Sequence, residues 1–275
     1  MIDIHTHLHP PRLFAAIRRW FADRSAWDLS AQPTDPQEVA SVLRAAGVER
    51  FVFCSYAHKP GIARELNAWL AATSRDLDGY GVPLATVHVE DAAAVADIRA
   101  ALDAGCVGLK LHEDVQRFAV DDRRLAAIYD ELEAGGAFLL VHVGPIPWSF
   151  PRDAGAARVE RVLARHPSLA IVVAHYGVPD SARYFELMAR HPNLYLDTTM
   201  VFAGESPMRD SSATALVATR PDRVLYGTDF PNIPHAYGSE RAGIERLQLE
   251  APALHAVLHA NAARLLGRVR AVRRA

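Results

Sequence analysis

Short apolar runs recur along the chain with room for a helix between successive ones: MIDIH, FVFCS, PLATVHV, CVGLKLH, AFLLVHV, LAIVVAH, LYLDTT and RVLYGTD. Near-continuous apolar runs of this length belong to strands buried on both faces, the habit of a parallel sheet. The stretches between them include PQEVASVLRAAG, DAAAVADIRAALDAG and DDRRLAAIYDELEAGG, which have helical periodicity, open on Asp, Pro or Thr and close on Gly. Those are helix start and stop signals. Eight such units within 275 residues predict an α/β chain folded as a (β/α)8 TIM barrel, a single domain over residues 1–275. An internal echo, VLARHPSLAIVVAH and LMARHPNLYLDTT, runs each time from helix through His-Pro to strand. The proline ends the helix, so His166 and His191 are read as helix-terminus residues.

Polar residues interrupt this pattern at one kind of place. In MIDIHTHLHP the alternation of a strand puts His5 and His7 on one face, and Pro10 and Pro11 end the strand before His9 can join them. With the eight runs aligned by their carboxyl ends, His5 and His7, Lys110 and His112, His142, His175 and Asp229 fall on one rim. That rim is where a parallel barrel assembles its active site. Imidazoles with a carboxylate are a ligand set for zinc, manganese, iron or cobalt, and the pair on the first strand can chelate one ion. Two longer connections, Leu8 to Asp35 and GPIPWSFPRDAG, leave carboxyl ends of strands and are expected to cover the site.

HTH on the first strand, the histidines ending strands five and six, and YGTDFP on the eighth resemble the amidohydrolase superfamily. More narrowly, the chain is similar to its amidohydrolase-2 branch, which includes metal-dependent hydrolases and decarboxylases related to aminocarboxymuconate semialdehyde decarboxylase. The resemblance runs from MIDIHTH to HANAARLLG. It implies that His5, His7 and His142 bind a divalent metal, with zinc first and manganese, iron or cobalt as alternatives, in one or two ions. Asp229 is then a ligand or the base that handles the water proton. His175 is a ligand of a second ion, or an acid/base residue that stabilises the oxyanion. Lys110 is either a carboxylated bridge between two ions or, the reading favoured for this branch, an amine paired with Glu113, Asp229 or the substrate. The ion would lower the pKa of a water toward neutrality and polarise the carbonyl under attack.

Composition narrows the partners. Half the residues are hydrophobic and the formal charge is -2, so nucleic acid is not expected, and a small near-neutral molecule is. No apolar stretch is long enough for a membrane span. Cys54 and Cys106 lie in apolar runs, as free thiols of a reducing compartment would, so the chain is read as cytoplasmic, and a homo-oligomer is compatible with it. Of 30 basic residues only Lys59 and Lys110 are lysine. An arginine bias explains most of that; a deprotonatable amine is what arginine cannot supply. His58 and Lys59 after the second strand, His112 and Glu113 after the fourth, and Trp148, Phe150 and Tyr176 as an apolar wall are candidate substrate contacts. The expected activity is hydrolysis of an amide, cyclic amide or lactone by a metal-activated water. A non-oxidative decarboxylase and a non-catalytic metal- or ligand-binding barrel are the alternatives.

Overall fold

A computed structural model describes residues 1–23, 27–143, 155–204, 206 and 215–273. Its strands are β1 (Ile2–His7), β2 (Arg50–Cys54), β3 (Gly81–Pro83), β4 (Gly108–His112), β5 (Phe138–His142), β6 (Ala170–Val173), β7 (Leu194–Asp197) and β8 (Val224–Leu225). They pair in parallel as β1-β2-β3 and β4-β5-β6-β7-β8. A bridge between Ala85 and Leu109 joins the two sets, and the amides of Ile4 and His7 bond to the carbonyls of Tyr226 and Phe230 on the other side. The ring is thereby closed as a TIM barrel.

Helices cover the outside: α1 (Pro11–Ala22), α2 (Pro36–Ala45), α3 (Ala63–Asp76), α4 (Ala94–Asp103), the single turn α5 (Glu113–Gln116), α6 (Ala126–Ala134), α7 (Ala156–Arg165), α8 (Ser181–Met188), α9 (Ser239–Glu245), α10 (Ala251–His255) and α11 (Asn261–Arg273). The sequence signals work as local chemistry predicts. Asp35 caps α2 by accepting from the amides of Gln37 and Glu38, and Gly47 beyond its end takes φ +79°.

Three features depart from the pattern. The connection after Leu8 is not loop throughout, since Pro11 starts a twelve-residue helix there. β3 ends at Pro83 although PLATVHV continues apolar: backbone bonds persist through Leu84 and the Ala85 bridge, and from Thr86 on side-chain amides take the place of the ladder. Asn67 bonds both backbone groups of Thr86, and Gln116 bonds the Val87 carbonyl. The third is on β1, where Asp3 faces Phe51 but Thr6 faces Phe53, so β1 spends one residue more than β2 over the same rise. This bulge breaks the alternation. Ile2 and Ile4 pack inside the barrel with Val52, Phe138, Leu140 and Val172, over Leu265 of α11, and after the bulge His5 and His7 face the interior too. The barrel thus has an apolar lower storey and a polar upper one.

Candidate metal centre

The upper storey is built from strand ends. His7, His5, His175, His142, His112 and Tyr56 form a closed wreath of rings, with successive centroids 5.2, 5.8, 4.5, 3.9, 5.3 and 5.2 Å apart. His112 and His142 stack with planes 10° apart because they are paired residues on neighbouring strands. His175 and Asp229 reach the cluster only by leaving the strand conformation, with φ of +54° and +68°. Left-handed backbone at residues other than glycine is costly and concentrates at functional sites.

Inside the wreath, donors converge. Asp229 Oδ1 lies 2.7 Å from His7 Nε2 and 3.2 Å from His5 Nε2. His5 Nδ1 donates to Asp197 Oδ2 at 2.8 Å, which leaves its Nε2 lone pair exposed to the centre. A bare imidazole nitrogen and a carboxylate oxygen facing each other at that separation repel unless a cation lies between them. Lys110 Nζ partly supplies one, donating to His5 Nε2 at 2.9 Å. Two imidazoles and a carboxylate aimed at one point suit a divalent ion. Cys54 is also close enough to His5 and His7 to complete a donor group. It meets His7 on the Nδ1 side, at 3.4 Å, and so lies behind the ring rather than at the Asp229 point. Two buried ring nitrogens, Nδ1 of His112 and of His175, have no partner among the described residues.

The electrostatics follow from this packing. Burial, helped by the Lys110 ammonium, pushes His5 from 6.5 to about 4, so its ring is neutral at pH 7. Burial alone would lower His7 too, yet the Cys54 sulfur and the Asp229 carboxylate outweigh it and raise the ring to about 9. Asp229 loses solvent, which disfavours its charge, but His7, His5 and His175 hold it well below the usual carboxylate range. Burial lowers Lys110, His112, His142 and His175 from their ordinary values. Lys110 is fully buried and makes no ion pair with the described residues.

The structure therefore brings His5, His7, Lys110, His112, His142, His175 and Asp229 together. The remaining candidates go elsewhere. Glu113 is bonded by Arg158 at 2.8 and 3.0 Å and by the Val120 amide, so it anchors α7 instead of pairing with Lys110. Tyr176 is buried between Phe185 and Phe202 in the core outside the strands, not in a wall around substrate. His58 and Lys59 are exposed. Trp148, Phe150 and the connection around them lie outside the described residues. His9 is buried beside the site with Nδ1 2.7 Å from Ser55 Oγ and Nε2 3.4 Å from Asn232. Two residues enter that sequence reading passed over. Tyr56 Oη is 3.0 Å from His7 Nε2, and Asp197 ends β7 directly behind His5. Asp197 had a signal, being a lone acid at the carboxyl end of an apolar strand; Tyr56 stands two residues before the charged pair that drew attention instead.

Comparison with known proteins gives a family and a fold. A family model described as amidohydrolase matches residues 2–268. A 6-methylsalicylic acid decarboxylase of Penicillium expansum is 24% identical over 285 residues, which cover 85% of this chain and 86% of that one. Among solved structures, an uncharacterised TIM-barrel protein from Bordetella bronchiseptica superposes with TM-score 0.73 at 24% identity, over 98% of this chain and 100% of that one. A 5-carboxyvanillate decarboxylase from Sphingomonas paucimobilis gives TM-score 0.73 at 17% identity, over 97% and 98%.

Proposed function

Because the chain belongs to the amidohydrolase family, we propose that it is a metal-dependent enzyme acting on a small carboxylic acid, and that its reaction is non-oxidative decarboxylation. The observation that carries this reading is Lys110, a fully buried amine with no ion pair among the described residues, aimed at the point where His5, His7 and Asp229 converge. A buried cation without a counter-ion is expensive, and a substrate carboxylate is the anion that relieves it. Relatives named as decarboxylases of aromatic acids, over nearly the full length of both chains, support the same choice.

His5, His7 and Asp229 would hold the ion, with His142 as the further ligand drawn from the wreath. The ion, when bound, would act as a Lewis acid on the substrate's oxygen atoms and organise its orientation. Lys110 would donate to the carboxylate and fix its place. Breaking the bond to the carboxyl carbon releases carbon dioxide and leaves an electron pair on the adjacent carbon, which must take a proton. His175, with a buried Nδ1 that has no partner among the described residues, is the residue we assign to that delivery. An arriving carboxylate raises its pKa toward the working range, since an opposite charge favours the protonated ring.

Hydrolysis of an amide, cyclic amide or lactone is the second reading. It is favoured by Asp229, an ionised carboxylate at the converging point that could accept the proton of an attacking water. One experiment separates the two. The metal-loaded protein is incubated with hydroxybenzoic and unsaturated carboxylic acids, and in parallel with lactones and cyclic amides. Carbon dioxide equal to the acid consumed is the expected result; ring opening without gas would transfer the assignment to hydrolysis.

A further inference from the structure

The carboxylate behind His5 has more work than a buried counter-ion needs. Asp197 is fully buried at the end of β7, and both its oxygens are engaged. Oδ2 accepts from His5 Nδ1 at 2.8 Å, while Oδ1 accepts from the backbone amides of His175 at 2.9 Å and Thr199 at 3.1 Å. One side chain on the seventh strand therefore touches the imidazole of the first and the displaced backbone of the sixth. We infer that Asp197 is a positioning residue that fixes His5 with its proton on Nδ1, so that Nε2 presents a lone pair to the ion, and that holds His175 in its left-handed turn. This inference rests on the reading of His5 as an ion ligand.

Donors and acceptors decide the state of the His5 ring. An ionised carboxylate can only accept, so Nδ1, hydrogen-bonded to Asp197 at 2.8 Å, must carry hydrogen, whereas Asp229 Oδ1 lies 3.2 Å from Nε2 as a charge contact without a hydrogen bond. A neutral imidazole has one N–H, which leaves the other nitrogen bare. Lys110 Nζ donating to that nitrogen is an independent sign of the same tautomer. Thr199 Oγ1 also approaches His5 Nδ1, at 3.2 Å, but a hydroxyl can donate as readily as accept and so cannot dictate the ring's state. Space for the triad is provided by Gly227. A Cβ there would lie 2.7 Å from Thr199 Oγ1, 3.0 Å from His5 Cβ and 3.3 Å from Asp197 Cβ. Carboxylates behind metal-bound histidines act this way generally, and losing one typically weakens metal affinity about 10–100-fold.

The same counting shows what Asp197→Asn does. Asparagine offers one acceptor oxygen where three N–H groups need two. Whichever way the amide turns, its NH2 faces either His5 Nδ1, driving the ring's proton to Nε2, or the amides of His175 and Thr199. The test uses the full-length, metal-free protein and long-range proton–nitrogen NMR of its imidazoles, with His5 assigned by the signals lost in His5→Gln. Zinc affinity is then measured by chelator competition for wild type, Asp197→Asn, Asp197→Ala and Thr199→Val. Expected are a protonated Nδ1 and bare Nε2 on His5 in wild type and in Thr199→Val. Zinc binding should weaken about 10–100-fold in both Asp197 variants. If Asp197→Ala fails to fold by circular dichroism, Asp197→Asn and the wild-type spectrum still decide. A proton on Nε2 in wild type, or zinc affinity unchanged in the folded Asp197 variants, overturns the inference. Should wild type show the expected tautomer and bind no zinc, the metal-centre reading falls while the hydrogen-bonding role of Asp197 stands.

Discussion

At the residue scale the decisive group is Lys110. A buried lysine survives at equilibrium only if something compensates its desolvation, and here that is one imidazole nitrogen together with the Cys54 sulfur and the more distant charges of Asp229 and Asp197. Replacing it with methionine keeps the length and removes the charge and the donor. A hydrogen bond to a charged group is worth about 1.5–3 kcal/mol, so Lys110→Met should raise KM for the carboxylate substrate roughly 10–100-fold. Ion content should stay at one per chain, because the donors at the centre are His5, His7 and Asp229. Metal analysis of both proteins checks this, and a fall from two ions to one in the variant would instead make Lys110 a bridging ligand. Which residue types meet at the barrel mouth was legible in the sequence, since histidines and Asp229 stand at strand ends among apolar neighbours. Their partners were not. Asp197 also ends an apolar strand, but the sequence does not show that its carboxylate meets His5 Nδ1, and Tyr56 lies past the end of β2, where alternation no longer says which way a side chain points.

At the element scale the site depends on how β1 and β8 meet. Strict alternation would set Ile2 and Ile4 against His5 and His7, yet both pairs face inward because of the extra residue between Asp3 and Thr6. Periodicity alone could not reveal that, since a bulge is fixed by pairing with another strand; the same limit hid the early end of β3, where Asn67 and Gln116 intervene. The helix at Pro11–Ala22 was obscured by its proline start and tryptophan-rich surroundings. Gly227 lies two residues past the end of β8, against His5 and Thr199, and the close approaches of its missing Cβ leave no room for alanine. Overpacking of this kind costs about 1–3 kcal/mol, so Gly227→Ala should lower the unfolding free energy by that much and weaken zinc binding as His5 is pushed aside. Gly105, at φ +114° with nothing within 4 Å of where a Cβ would stand, is the control: alanine there should cost stability through backbone strain alone and leave zinc affinity unchanged. Denaturant titration and chelator competition on both variants measure the two quantities. Equal effects on zinc at both glycines would remove the steric account.

At the scale of the whole molecule, the buried titrating groups set how stability depends on pH before any ion binds. Asp3, fully buried under Thr228 and Tyr237, is raised by burial from 3.8 to about 7; its contribution is present below 3.8 and is lost as pH rises through 7. His5, lowered from 6.5 to about 4, acts in the opposite sense, gaining stability for the fold as pH rises from 4 to 6.5. The two partly offset each other in that window. Above it His7 governs, because a ring raised from 6.5 to about 9 contributes stability that is full below 6.5 and lost as pH climbs through 9. The metal-free barrel should therefore lose stability between pH 7 and 9. An ion held by His7, as proposed, would displace its proton, so its affinity should rise about tenfold per pH unit over the same range. That is about 1.4 kcal/mol of added stabilisation per unit, or roughly 3–5 °C in Tm for a chain of this size. Melting curves with and without saturating zinc across this range measure the increment directly. An increment that grows with pH is expected, and one that is flat or shrinks would mean that His7 does not give up a proton to the ion.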